Sequence, residues 1–179
     1  MLINPDNFLT TNSSVSSRLQ PWITYQTSLT EKLKKIAGDA DLQLLKQVWE
    51  QADWWDKHVL KIANEQVMHR EIVMCAKKKP CWYARTVIPQ TTYSCDTVFF
   101  DRLENESLGK LIFEGNKVKR FMLMNYSINP SCIEYYWLTE WMHRHETELW
   151  VRLSGFTVSE RFSFFLVEIL LPELARYTN

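Results

Sequence analysis

At 179 residues the chain suits one domain with a sizeable core rather than an assembly of several. Lysine plus arginine (21) equals aspartate plus glutamate (21), so no global field recruits nucleic acid or an anionic membrane surface, and anion recognition has to be local. Few glycines and 13% aromatics exclude a disordered or fibrous class.

The first ten residues have neither a basic start nor a sustained apolar stretch, and no apolar run reaches the ~18 residues of a spanning helix. The expectation is a soluble, cytoplasmic protein without stable membrane insertion or nucleic-acid partners, and a monomer. Cys75, Cys81, Cys95 and Cys132 show no CxxC spacing, which points to buried thiols rather than a redox or zinc motif. His143-Arg144-His145 near Glu140 is too weak a pattern to imply a metal, and no cofactor is expected.

Residues 1–20 are polar and rich in Ser, Thr and Asn, the pattern of a loose arm before a domain spanning 21–179. Ser28-Leu29-Thr30-Glu31 is a capping box, with Leu29, Leu33 and Ile36 at helical spacing and Gly38 as the stop. The spacing predicts a helix starting at Leu29, and the N–H groups of a first helical turn, lacking internal partners, favour anions. Residues 41–51 are ambiguous, because Leu42, Leu45, Val48 and Trp49 suit a helix while Leu42 and Leu44 alternate.

Residues 70–76 and 81–89 are β-branched and aromatic runs around Lys77-Lys78-Lys79-Pro80, which predicts a β-hairpin with a solvated turn. With Lys77 opposite Pro80, Arg70 and Arg85 leave the same face as diagonal neighbours, roughly 7–8 Å apart at Cβ. Two arginines on an apolar face are costly unless an anion meets them, so the hairpin reads as half of an anion site.

Residues 91–100 read as a loop leading into a short apolar piece. Ser107-Leu108-Gly109 marks a second helix start, capped by Asn105 or Ser107 and stopped by Gly115. Strands are predicted over 119–126, 148–156 and 162–171. The aromatic stretch 133–141 could be helix, strand or flap. In the last strand Glu168 shares a face with Phe164, Leu166 and Leu170, a lone carboxylate among apolar neighbours.

His69-Arg70-Glu71-Ile72, Ala84-Arg85-Thr86-Val87-Ile88-Pro89, Ser107 to Phe113, Arg152-Leu153-Ser154-Gly155 and Val167 to Pro172 together resemble the successive blocks of the chorismate lyase family. The helix start at Ser28-Leu29-Thr30 fits the family's first block. The resemblance implies an α+β domain, a mainly antiparallel sheet with packed helices, and a ligand enclosed under flaps. It implies a cofactor-independent lyase that turns chorismate into 4-hydroxybenzoate and pyruvate, supplying the ring of ubiquinone or a related quinone. Carried over position by position, it places Arg70 and the backbone N–H groups of Leu29 and Leu108 at the ring carboxylate. Glu168 goes to the hydroxyl end, and Arg85 to a secondary region.

By the same resemblance residues 41–51 form a strand, against their helical leaning, while the 129–146 segment is longer than the family pattern and could alter product or substrate. The principal alternative is a non-catalytic sensor of small aromatic ligands, since GntR-type effector domains share the fold. Such a sensor normally follows a winged helix-turn-helix, for which the ~20 residues before Pro21 leave no space.

Overall fold

A computed structural model of the chain describes residues 15–113, 115–143 and 146–177, with the side chain of residue 143 left out. The elements in order are α1 (Gln20–Ile23), α2 (Leu29–Ala37), β1 (Asp41–Gln51), α3 (Trp54–His58), β2 (Gln66–Ala76) and β3 (Lys79–Pro89). Then follow α4 (Gln90–Tyr93), α5 (Thr97–Asp101), α6 (Leu108–Phe113), β4 (Val118–Ile128), α7 (Glu140–His143), β5 (Leu149–Val158) and β6 (Phe162–Leu170). Single 3-10 turns lie at Arg102–Glu104, Ile133–Trp137 and Pro172–Arg176.

The six strands form one sheet in the order β1-β2-β3-β6-β5-β4, every pairing antiparallel. Residues 41–51 are therefore a strand. As the edge strand, β1 leaves Leu44, Leu45, Val48 and Trp49 exposed, so pairing with β2 decides its state more than apolar spacing does. Residues 91–100, expected to be mostly loop, hold α4 and α5, the latter capped by the Asp96 side chain accepting from the Phe99 N–H.

The hairpin exists, but its register differs from the sequence expectation. The turn is Lys77-Lys78, both with positive φ (49° and 64°), closed by Ala76 opposite Lys79 and Cys75 opposite Pro80. A bulge at Cys81 then shifts the pairing, so that Met74 faces Trp82, Arg70 faces Thr86 and Glu71 faces Arg85. A one-residue change of register sends a side chain to the opposite face. Arg70 and Arg85 thus leave opposite faces, and the expectation of a shared arginine face is wrong.

Both faces are covered. On the Arg70 face, α1 and α2 bury Trp22, Ile23, Leu29 and Leu33 against Met74, Trp82 and Leu170. Further along it, α5 and α6 bury Phe99, Phe100, Leu108 and Leu111 against Ile88, Phe156 and Phe164. The Arg85 face carries the largest core cluster, which includes Val73, Tyr83, Val151, Val167 and Ile169. The long 129–146 connection supplies Tyr135, Leu138 and Met142 to that cluster and is fastened by Tyr126, whose hydroxyl donates to Glu134 Oε1 at 3.1 Å. Cys75 and Cys81 are buried, whereas Cys95 and Cys132 are only partly so.

Candidate functional site

Pairing across the sheet creates a row in which Ile72 (β2), Ala84 (β3), Glu168 (β6), Arg152 (β5) and Asn125 (β4) stand side by side. The neighbouring row on the same face holds Arg70, Thr86, Leu166 and Ser154. Two strand spacings sideways and two residues along put Arg70 and Glu168 about 11–12 Å apart at Cα. Their side chains converge on one cavity, closed on the helical side by the starts of α2 and α6.

The helix starts lie where the sequence predicts, with the Ser28 half of the expected capping box formed. The Ser28 side chain accepts from the Glu31 N–H at 3.2 Å and the Ser107 side chain from the Lys110 N–H at 3.3 Å, so Leu29 and Leu108 are the first residues of their helices. The two starts meet at Gly109, where an added Cβ would lie 3.2 Å from Ser28 Oγ. A side chain there would require the Ser28 cap to give by a few tenths of an ångström. The Glu106 carboxyl, held down to about 2 by Arg102 and Lys110, staples the approach to α6, and its backbone carbonyl lies 3.5 Å from Arg70 Nη2.

Arg70 is 4% exposed, and its Nε has no hydrogen-bond partner. Burial pushes its pKa down, the mark of a guanidinium stripped of water without full compensation. Glu168 is 8% exposed, with its Oε2 3.4 Å from Nη1 of Arg152. Leu29, Arg70, Leu108 and Glu168, four of the five positions expected in the site, all line this cavity.

Arg85, the fifth, is on the far side of the sheet and does not line the cavity. There His69, fully buried, lies 2.5 Å from Glu50 Oε1 and 2.9 Å from Asp56 Oδ2. Arg85 Nη2 donates to Asp53 Oδ2 at 3.0 Å, and the guanidinium stacks 4.5 Å from the Trp137 ring. Asp53, Asp56 and His69 are close enough together to suggest a cation site, but Arg85 sits 3.0 Å from both Asp53 Oδ2 and His69 Nε2. A guanidinium in that position already supplies the positive charge. The 143–145 histidine motif lies outside the described side chains.

Sequence reasoning passed over two cavity residues, Arg120 and Arg152. Arg152 carried the same signal as Glu168, a charge alternating with small and apolar residues in a buried strand. Arg120 had no such signal, being at the start of a strand with other basic residues.

A family model described as Chorismate lyase matches residues 7–172. A probable chorismate pyruvate-lyase of Pseudoalteromonas atlantica is 28% identical over 171 residues, covering 92% of this chain and 84% of that protein. A chorismate pyruvate-lyase of Pectobacterium carotovorum is 24% identical over 166 residues, covering 92% and 83%. Among solved structures, the effector domain of PhnF from Mycobacterium smegmatis superposes with a TM-score of 0.54 at 14% identity, covering 82% of this chain and 90% of that one. A GntR-family transcriptional regulator from Enterococcus faecalis gives 0.53 at 10% identity, covering 74% and 94%. These two likenesses speak to the fold.

Proposed function

The chain belongs to the chorismate lyase family, and on that premise we propose that it converts chorismate to 4-hydroxybenzoate and pyruvate. The observation that supports the reading is that Arg70 and Glu168, both buried and on different strands, line one cavity roofed by two helix starts. A para-substituted ring with a carboxylate at one end and a hydroxyl at the other matches that polarity.

Arg70 grips the ring carboxylate, because a fork of N–H donors already stripped of water gains most from an anion. The N–H groups of Leu29 and Leu108 add fixed donors that need no reorganisation during the reaction. Glu168 meets the 4-hydroxyl and is itself held by Arg152. The bond from ring C3 to the ether oxygen breaks, the C4 hydrogen leaves, and the ring becomes aromatic. If that hydrogen passes to the enolpyruvyl methylene, pyruvate forms directly and no protein base is consumed. The contribution of the site is then positioning, a term that reaches about 7–11 kcal/mol at most.

Incubating the purified protein with chorismate and following 4-hydroxybenzoate tests the reading. Steady formation that Arg70→Ala largely abolishes supports it, and an inert wild-type protein refutes it. The sensor reading is disfavoured by the joint presence of Arg70 and Glu168 in one cavity. Use of the product for a quinone ring in a cytoplasmic pathway is the matching physiological role.

A further inference from the structure

Among the described residues, the ionisable groups lining the cavity are Arg70, Arg120, Arg152 and Glu168, three cations against one anion. One carboxylate at Arg70 neutralises one of the two excess charges and leaves the other. The residue of charge is at the Glu168 end. Arg152 is 1% exposed, gives Nη2 to the Tyr25 carbonyl at 2.7 Å, and leaves Nε and Nη1 without a hydrogen bond, Nη1 lying 3.4 Å from Glu168 Oε2. Arg120, one strand further on, donates from Nη1 to the Gln26 carbonyl at 2.8 Å and leaves Nε unpartnered. Its guanidinium packs 5.3 Å from the Phe156 ring and 5.8 Å from the Phe113 ring.

The fully buried Arg152 and half-buried Arg120, held on the consecutive carbonyls of Tyr25 and Gln26, are mutually repulsive, and both hold unmet donors. Arg120's affinity for its proton is lowered by burial and by the charge of Arg152, and only partly restored by Glu168. Desolvated cations with free donors are stabilised most by a second anion that arrives with the ligand. We propose that Arg152 and Arg120 form a second carboxylate subsite, on the β5–β4 side of Glu168, that receives the carboxylate of the enolpyruvyl ether.

The assignment rests on the chorismate reading and adds a specificity element to it. The ether oxygen is on the ring carbon next to the one bearing the hydroxyl, so its carboxylate must lie beside Glu168 when the ring carboxylate is at Arg70. A dianion satisfies both arginine groups. The aromatic product, with one carboxylate, satisfies only the first, and pyruvate leaves the second empty when it departs.

The test compares two inert aromatic ligands by titration calorimetry, 3-(1-carboxyvinyloxy)benzoate with both carboxylates and 3-isopropenyloxybenzoate with the ring carboxylate alone. Wild-type protein is expected to bind the diacid at least tenfold more tightly. Arg120→Met is expected to erase most of that advantage while changing monoacid and 4-hydroxybenzoate affinity less than threefold, and Arg152→Lys, which also disturbs Glu168, is expected to weaken the diacid more than the monoacid. Should buried Arg152→Lys fail to fold, the half-buried Arg120 carries the comparison. An unchanged diacid advantage in Arg120→Met, or equal weakening of both ligands, overturns the subsite. A protein that turns over chorismate without these selective losses keeps the lyase reading and loses the subsite. One that prefers the diacid in an Arg120-dependent way but yields no pyruvate keeps the subsite and loses the lyase reading.

Discussion

Arg70 and Arg85 have similar sequence surroundings, but one faces a cavity and the other is locked among counter-charges. On the proposed function Arg70 meets the ring carboxylate, so Arg70→Ala is expected to lose roughly 2–5 kcal/mol of transition-state stabilisation, read in kcat/KM. The consequence of losing the other network is on stability. Burial alone would push the Asp56 carboxyl up, but the hydrogen bond and charge of His69, the Asp53 N–H and the charge of Arg85 outweigh it and hold it below its ordinary value. A depressed carboxyl stabilises the fold above its unfolded pKa of about 3.9 and loses that contribution as pH falls through the folded value. Asp56→Asn is expected to cost about 3–5 kcal/mol near neutrality by removing the one fully buried carboxylate of the network and leaving only the more exposed Glu50, Asp53 and Glu71, and to flatten the acid limb of a denaturation series. A variant with wild-type stability and an unchanged acid limb would contradict that role.

The elements show where sequence reading works and where it stops. The helix starts at Leu29 and Leu108 were legible because a capping serine is a local signal whose partner is three residues away. The face of Arg85 was not, because it depends on a turn and a bulge together. The Lys77-Lys78 turn alone would set Arg70 directly opposite Arg85, and the bulge at Cys81 then moves Arg85 to the other side. Nothing local in Pro80-Cys81-Trp82 announces that extra residue. The turn itself is open to improvement, since both lysines adopt left-handed backbone that a β-carbon disfavours. Lys77→Asn with Lys78→Gly, the pair preferred in this turn type, is expected to stabilise by roughly 1 kcal/mol, raising Tm by about 2–4 °C in a scanning experiment. At the roof of the cavity, Gly109→Val should wedge α6 away from Ser28 and weaken ligand binding more than it lowers Tm.

For the molecule as a whole, the sheet divides the work. One face holds the cavity lined by Arg70 and Glu168, between two groups of helices, and the other carries the long 129–146 segment, whose Tyr135, Leu138 and Met142 join the main core. From the sequence, this segment was expected to be able to alter product or substrate, with 133–141 as helix, strand or flap. Its described residues pack on the face away from the cavity, so the segment completes the core instead. On the proposed function the cavity holds the hydroxybenzoate ring in product as well as substrate, and 4-hydroxybenzoate is expected to bind with micromolar affinity, about −8 kcal/mol. Millimolar binding in a titration would count against an enclosed ring site. The central claim is that this cavity splits chorismate, and the most direct measurement quantifies both products from one reaction of purified protein with chorismate. Equal amounts of 4-hydroxybenzoate and pyruvate, formed together and catalytically, are the expected result; no pyruvate, or pyruvate without 4-hydroxybenzoate, would contradict it.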